Sequence, residues 1–228
     1  MKKHIPNMIT CLNLVSGCIA CVMALNNNCS GAFILIIIAA VFDFLDGFAA
    51  RLLKAYSNIG KELDSLADVV SFGVAPGMII FVFLRNTLLG SSLPAPFVYL
   101  AFLAFLIPAF SALRLAKFNV DDRQTSSFIG LPVPADALFW GSLIYALPSF
   151  NFSPLSKIIG VILCIFFFSY LMVSEIPMFS LKFKNYGWKG NEVRYVLILA
   201  AIALFALFNL SGISLIIIAY ILMSLLNK

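Results

Sequence analysis

Charge is what this sequence has least of. Only 11% of its 228 residues are Asp, Glu, Lys or Arg, while 62% are hydrophobic and 23 are Phe. A soluble domain of this length needs far more polar surface, so the solvent for most of the chain is lipid. No hydrophilic stretch is long enough to fold as a separate soluble unit, so 1–228 reads as one membrane domain without a linker. Histidine is nearly missing: His4 stands alone, and a solvated or headgroup-facing place suits it better than catalysis. Cysteine is sparse. Cys18 and Cys21 share a helix face, but Cys11, Cys29 and Cys164 add no second pair and no His cluster exists, which excludes a zinc site and leaves ordinary packing. There is no internal repeat, no low-complexity tract and no nucleic-acid motif. The glycosylation triplets at Asn28, Asn151 and Asn209 are patterns short enough to arise by chance.

Apolar runs near the twenty residues needed to cross a bilayer recur along the whole chain. They predict an all-α, polytopic membrane protein with about eight transmembrane helices. The expected spans are about Met8–Leu25, Gly31–Lys54, Lys61–Leu84, Pro96–Leu115, Val133–Leu147, Leu155–Val173, Arg194–Phe208 and Ser211–Leu226. The first lacks a clean small-residue cleavage site and more spans follow, so it reads as an uncut helix rather than a signal peptide. Charge orients the set. With the N-terminus in the cytoplasm, Lys2, Lys3, Arg51, Lys54, Lys61, Arg114, Lys117, Arg123, Lys182, Lys184, Lys189, Arg194 and Lys228 face inward. Of the 15 Lys and Arg, only Arg85 and Lys157 fall outside. That asymmetry predicts both termini in the cytoplasm of a cell whose inner membrane holds the chain. The net charge of +5 is then mostly a topology signal that also suits anionic headgroups.

Acids inside membrane helices are costly and usually mark function. Four lie between Val41 and Gly77: Asp43, Asp46, Asp64 and Asp68. The first pair falls near the inner end of the second helix, the second pair near the inner start of the third. A short loop joins the two helices, so they are expected to be antiparallel neighbours. At 100° per residue, Asp43, Asp46, Gly47 and Ala50 share one face, and Gly60, Asp64, Asp68 and Ser71 share another. If the faces meet, four carboxylates converge on one volume, where they cannot all stay ionised unaided. Two divalent cations resolve the repulsion. Hard oxygen ligands suit Mg²⁺ or Mn²⁺ rather than zinc, and a metal pair is a common device for in-line attack at phosphorus. Gly47, Ala49 and Ala50 clear bulk beside the acids, and Arg51 adds a planar fork for phosphate oxygens. Close helix packing is the competing explanation for the small residues alone.

The run Asp43-x-x-Asp46-Gly47-x-x-Ala50-Arg51, then Gly60-x-x-x-Asp64-x-x-x-Asp68, resembles the signature of the CDP-alcohol phosphotransferase family, with every position filled. The resemblance implies transfer from a CDP-linked donor with CMP leaving. It implies that Asp43, Asp46 and Asp64 are metal ligands, and that Asp68 ligates the second metal and acts as general base. It further implies that Gly47, Arg51 and Ser57 contact the CDP-lipid. Ala50 and Gly60, with Asn7 and Thr10 of the opening segment, complete that expected site. The stretches Val69–Pro76, Arg114–Asn119 and Gly130–Pro134, with Ile5–Thr10, resemble the membrane-integral phosphatidylserine synthases within that family. The implied substrates are CDP-diacylglycerol and L-serine. A homodimer is left open.

The motif itself does not name the acceptor. A zwitterion needs a cation for its carboxylate, and Arg114, Lys117 and Asn119, at the inner end of the fourth helix, are the candidate acceptor-binding residues. Arg114 and Lys117 also read as positive-inside anchors, and glycerol 3-phosphate or inositol phosphate would welcome the same cations. An ion-coupled transporter would bury acids too, but usually near mid-membrane beside broken helices. A purely structural protein would have no reason to bury four.

Overall fold

The computed structural model describes residues 4–121, 128–180, 187–188 and 190–226. Lys2, Lys3, Arg123, Lys182, Lys184, Lys189 and Lys228 lie outside the described residues. Among the described residues the chain is all-α apart from one small clip of β-structure. α1 spans His4–Leu25 and α2 spans Cys29–Leu52. α3, Asn58–Asp68, runs through a wide π-turn at Val69–Val74 into α4, Ala75–Leu89. A 3₁₀ stretch, Ala95–Phe105, leads into α5, Leu106–Val120. α6, Val133–Ala146, and α7, Pro154–Val173, follow. α8, Glu192–Phe208, and α9, Gly212–Leu226, end the fold.

Six helical stretches among the described residues are long and apolar enough to cross a bilayer, not eight. The difference has two sources. α6 has 14 residues, short of the usual span. α8 and α9 form one apolar stretch of 35 residues, although it breaks at Asn209–Ser211 and its halves pack together. The first helix also starts earlier than expected, at His4. Pro6 sits in its first turn, where a missing N–H leaves no helical bond unmade. Apolar side chains such as Phe44, Phe48, Leu163, Phe167, Leu199 and Ile202 are exposed on the outside of the bundle, as lipid-facing residues are.

The core gathers around α4 and α6. Phe33, Phe72, Ile79, Ile80, Trp140 and Ile144 are almost fully buried there. α1 lies against α2, α3, the π-turn and α4. Its buried face is made of small and polar residues: Thr10, Asn13, Ser16, Gly17, Ala20 and Ala24. At Gly17 a side chain would collide with the backbone of Ser71, so glycine there lets the π-turn lie on α1. At the end that holds the acids, the residues after α5 and α7 pair as antiparallel strands, β1 (Phe128–Ile129) with β2 (Pro177–Met178). Gly130, at φ +73°, turns the chain out of β1 towards α6. Its N–H meets the Ile176 carbonyl at 2.9 Å, and a side chain there would strike the Met172 carbonyl. Glycine is the residue that reaches this conformation without strain.

Candidate active site

α2 and α3 were expected to pack side by side. They pack instead along α1, which leaves a cleft between them with α1 as its floor. The short connection is shaped by Lys54, at φ +49°, and by Ser57. The Ser57 hydroxyl caps α3 by accepting the Gly60 N–H at 3.0 Å, a bond whose loss costs about 1 kcal/mol. That cap starts α3 where Asp64 and Asp68, four residues apart, both face the cleft.

Across the cleft, one carboxylate oxygen from each of Asp43, Asp64 and Asp68 lies within 4.8 Å of the other two. Asp46 stands beside this trio. Its Oδ2 accepts the Thr10 hydroxyl at 2.6 Å, closer than that hydroxyl's other acceptor, the Pro6 carbonyl at 3.1 Å. Asn13 Nδ2 donates to Asp68 Oδ1 at 3.2 Å, and the Asn13 carbonyl accepts from Ser71 at 2.9 Å. Thus α1 orients one acid from each side of the cleft. Asp64 Oδ1 is buried without a hydrogen-bond partner among the described residues. Clustered carboxylates with an orphaned oxygen are the donor set of a hard divalent cation, so these residues fit Mg²⁺ or Mn²⁺.

Two cavities adjoin the cluster. One, of about 220 Å³, is lined by Asn7, Thr10, Asp46, Gly47, Ala50, Ser57, Gly60, Lys61 and Asp64, among others. The expected CDP-lipid residues therefore lie together, except Arg51. Arg51 is exposed at the rim, with its Nε on the Gly47 carbonyl at 2.9 Å. The other cavity, of about 210 Å³, is lined by Lys61, Asp64, Ser65, Asp68, Arg114, Asn119, Phe118 and Phe128, among others. Arg114 is 6% exposed, and its Nε and Nη2 have no partner among the described residues. Its guanidinium lies 5.2 Å from the Phe118 ring centre and 5.9 Å from that of Phe128, a cation–π clamp. Asn119 serves chiefly as a tie: its Nδ2 donates to Ser65 at 2.9 Å and its carbonyl accepts from Lys61 at 3.0 Å. Lys117 is not brought into this cavity. Its ammonium turns to the Val173 carbonyl at 3.3 Å, at the end of α7.

Residues 3–180 match the CDP-alcohol phosphatidyltransferase family. The chain belongs to that family. It is similar to a CDP-diacylglycerol–serine O-phosphatidyltransferase of Bacillus subtilis (strain 168), 39% identical over 174 residues, which cover 76% of this chain and 89% of the relative. A protein of the same name from Mycobacterium leprae (strain TN) is 34% identical over 181 residues, 76% of this chain and 57% of its own length. An archaetidylserine synthase of Methanothermobacter thermautotrophicus is 35% identical over 137 residues, 59% of this chain and 54% of its own length. The helices α8 and α9 lie beyond the stretch that matches the family.

Within this member of the family, the sequence missed Asn13, Lys61 and the Phe118–Phe128 clamp. Asn13 was within reach. Asn7, Thr10 and Asn13 recur at a spacing of three along an otherwise apolar helix, the stripe that a buried polar face leaves. Phe128 was not, because its place against Arg114 depends on the β1–β2 pairing of two distant loops.

Proposed function

We infer that this chain transfers the phosphatidyl group of CDP-diacylglycerol to L-serine, releasing CMP and phosphatidylserine. The observation that carries this reading is a carboxylate cluster shared by two cavities, with Asp46 and Asp64 lining one and Asp64 and Asp68 lining the other. One suits the nucleotide end of the donor, with small residues and Asn7, Thr10 and Ser57. The other suits a small zwitterion, with a buried guanidinium whose Nε and Nη2 have no partner among the described residues, on a wall shared with Asp64 and Asp68. The relatives' shared name as serine transferases supports the choice of acceptor.

In this mechanism Arg114 Nε and Nη2 hold the serine carboxylate, and the aromatic clamp fixes the plane of the fork. The serine hydroxyl then lies towards Asp68. Asn13 occupies Asp68 Oδ1, which leaves Oδ2 to take the hydroxyl proton. The serine oxygen bonds to the lipid-bearing phosphorus as the bond from that phosphorus to the CMP oxygen breaks. CMP leaves as a phosphate anion and needs little protonation. Thr10 holds Asp46 in place along the nucleotide cavity. Two divalent cations, Mg²⁺ or Mn²⁺, held by Asp43, Asp46, Asp64 and Asp68, supply charge neutralisation at the phosphoryl oxygens.

The test is an acceptor screen with purified protein, following CMP release with serine, glycerol 3-phosphate and inositol phosphate. Turnover with serine alone is the expected result, and turnover with glycerol 3-phosphate but not serine overturns the choice of acceptor. In the same assay Arg114→Ala raises the KM for serine about 10–100-fold, the worth of a charge-assisted hydrogen bond. The KM for CDP-diacylglycerol changes little. An unchanged serine KM removes Arg114 from the acceptor site.

We propose that both termini lie in the cytoplasm and that the active site opens at the inner face. The inward charge excess supports it. In a cysteine-free background, a membrane-impermeant thiol reagent applied to intact cells labels Cys placed at Ser92 but not at Lys54. The reverse pattern overturns the orientation.

A further inference from the structure

Two residues line both cavities: Asp64 and Lys61. They lie three apart on α3, so they share its face with Asp68. Lys61 is thus a cation at a wall otherwise dominated by carboxylates. Its ammonium donates to the Asn119 carbonyl at 3.0 Å, and the Asn119 amide reaches Ser65 at 2.9 Å. The end of α5 is therefore tied to α3 on either side of Asp64, and the exposed Lys61 side chain reaches across the seam of the two cavities.

We propose that Lys61 is a catalytic residue that holds the non-bridging oxygens of the phosphate being transferred, at the seam between the nucleotide and acceptor cavities. This rests on the assignment of the two cavities given above. In a direct transfer the lipid-bearing phosphorus must be reached from both sides at once. CMP departs into one cavity while the serine oxygen arrives from the other, so the phosphorus crosses no distance and sits at their common wall. That wall offers Asp64, assigned above to the cations, and Lys61, whose own charge attracts the phosphate oxygens. An ammonium has three N–H groups. The Asn119 carbonyl takes one, and two remain for phosphate oxygens. As serine attacks, negative charge on those oxygens redistributes, and a cationic donor stationed at that wall lowers the barrier.

The plainer alternative is that Lys61 only ties α3 to α5, or marks the inner face of the membrane. Three substitutions separate these roles. Lys61→Gln keeps a donor for the Asn119 carbonyl and loses the charge. Lys61→Met loses both. Lys61→Arg keeps the charge in a different shape. Each is purified in detergent, its thermal unfolding is compared with wild type, and CMP release is measured against serine and against CDP-diacylglycerol. The expected result is that Gln and Met both lower kcat about 100-fold, the low end of the range for losing one preorganised donor. The KM for serine stays near the wild-type value, and Arg recovers part of kcat. Wild-type kcat in Lys61→Gln overturns the proposal, whether or not Lys61→Met is impaired. Asp68→Asn is run alongside. Loss in that variant with wild-type turnover in Lys61→Gln rejects the lysine role alone. Wild-type turnover in both rejects the assignment of the site itself.

Discussion

In an Asp68→Asn protein, kcat falls about 10²–10⁴-fold, the usual worth of a positioned general base, while CDP-diacylglycerol still binds. The substitution is nearly isosteric. The new side chain can present its oxygen to Asn13 Nδ2, as Asp68 Oδ1 does at 3.2 Å, so the tie between α1 and α3 persists. What disappears is Oδ2 as a proton acceptor on the wall of the acceptor cavity. The loss therefore appears in kcat rather than in the KM for the donor. Binding of a CDP-lipid analogue, followed by calorimetry or filtration, checks that the nucleotide cavity survives. A kcat within a few-fold of wild type would take the base role away from Asp68.

Asp43→Ala and Asp64→Ala each abolish measurable turnover while leaving a membrane-inserted protein. These side chains approach each other across a cleft, not through a packed interface, so their removal leaves helix packing largely in place. It takes away ligands for cations that contribute several kcal/mol of charge stabilisation at phosphorus, a loss of about 10²-fold or more. Chelation of wild-type protein gives the same silence, and Mg²⁺ or Mn²⁺ restores it. Neither ion rescues the alanine variants at concentrations that saturate wild type. Full activity in metal-free buffer would sink this prediction.

The acids were legible in the sequence because helical periodicity is local. Asp64 and Asp68 share a face whatever lies around them, and Asp43 needs only a short turn to be brought opposite. What lies between the acids was not legible. Nothing in the spacing says that α1, far earlier in the chain, forms the floor of the cleft and keeps α2 and α3 apart. Arg114 and Lys117 illustrate the same limit. Three residues apart on α5, they read alike, yet one guanidinium is buried beside the acids and the other head group goes to the Val173 carbonyl. The end of α7 decides between them, and its position is set by tertiary packing. Counting crossings failed on length for a similar reason: α6 is packed among α2, α4 and α9 and, at 14 residues, stops short of a full span.

The π-turn at Val69–Val74 has a bearing on which changes this segment can absorb. Its wider loop inserts a phase offset between the acids of α3 and the face by which α4 meets the core. Exchanging one side chain there alters packing locally. Closing the turn to an ordinary helix at unchanged length would swing Asp64 and Asp68 by about 100° against α4, whereas losing one residue as the turn closes would leave their facing nearly as it is. What this stretch must keep is the match between its length and the width of its turn, so a relative one residue shorter here can hold the same acids through a plain helix, and an alignment through it should allow a one-residue gap after Asp68.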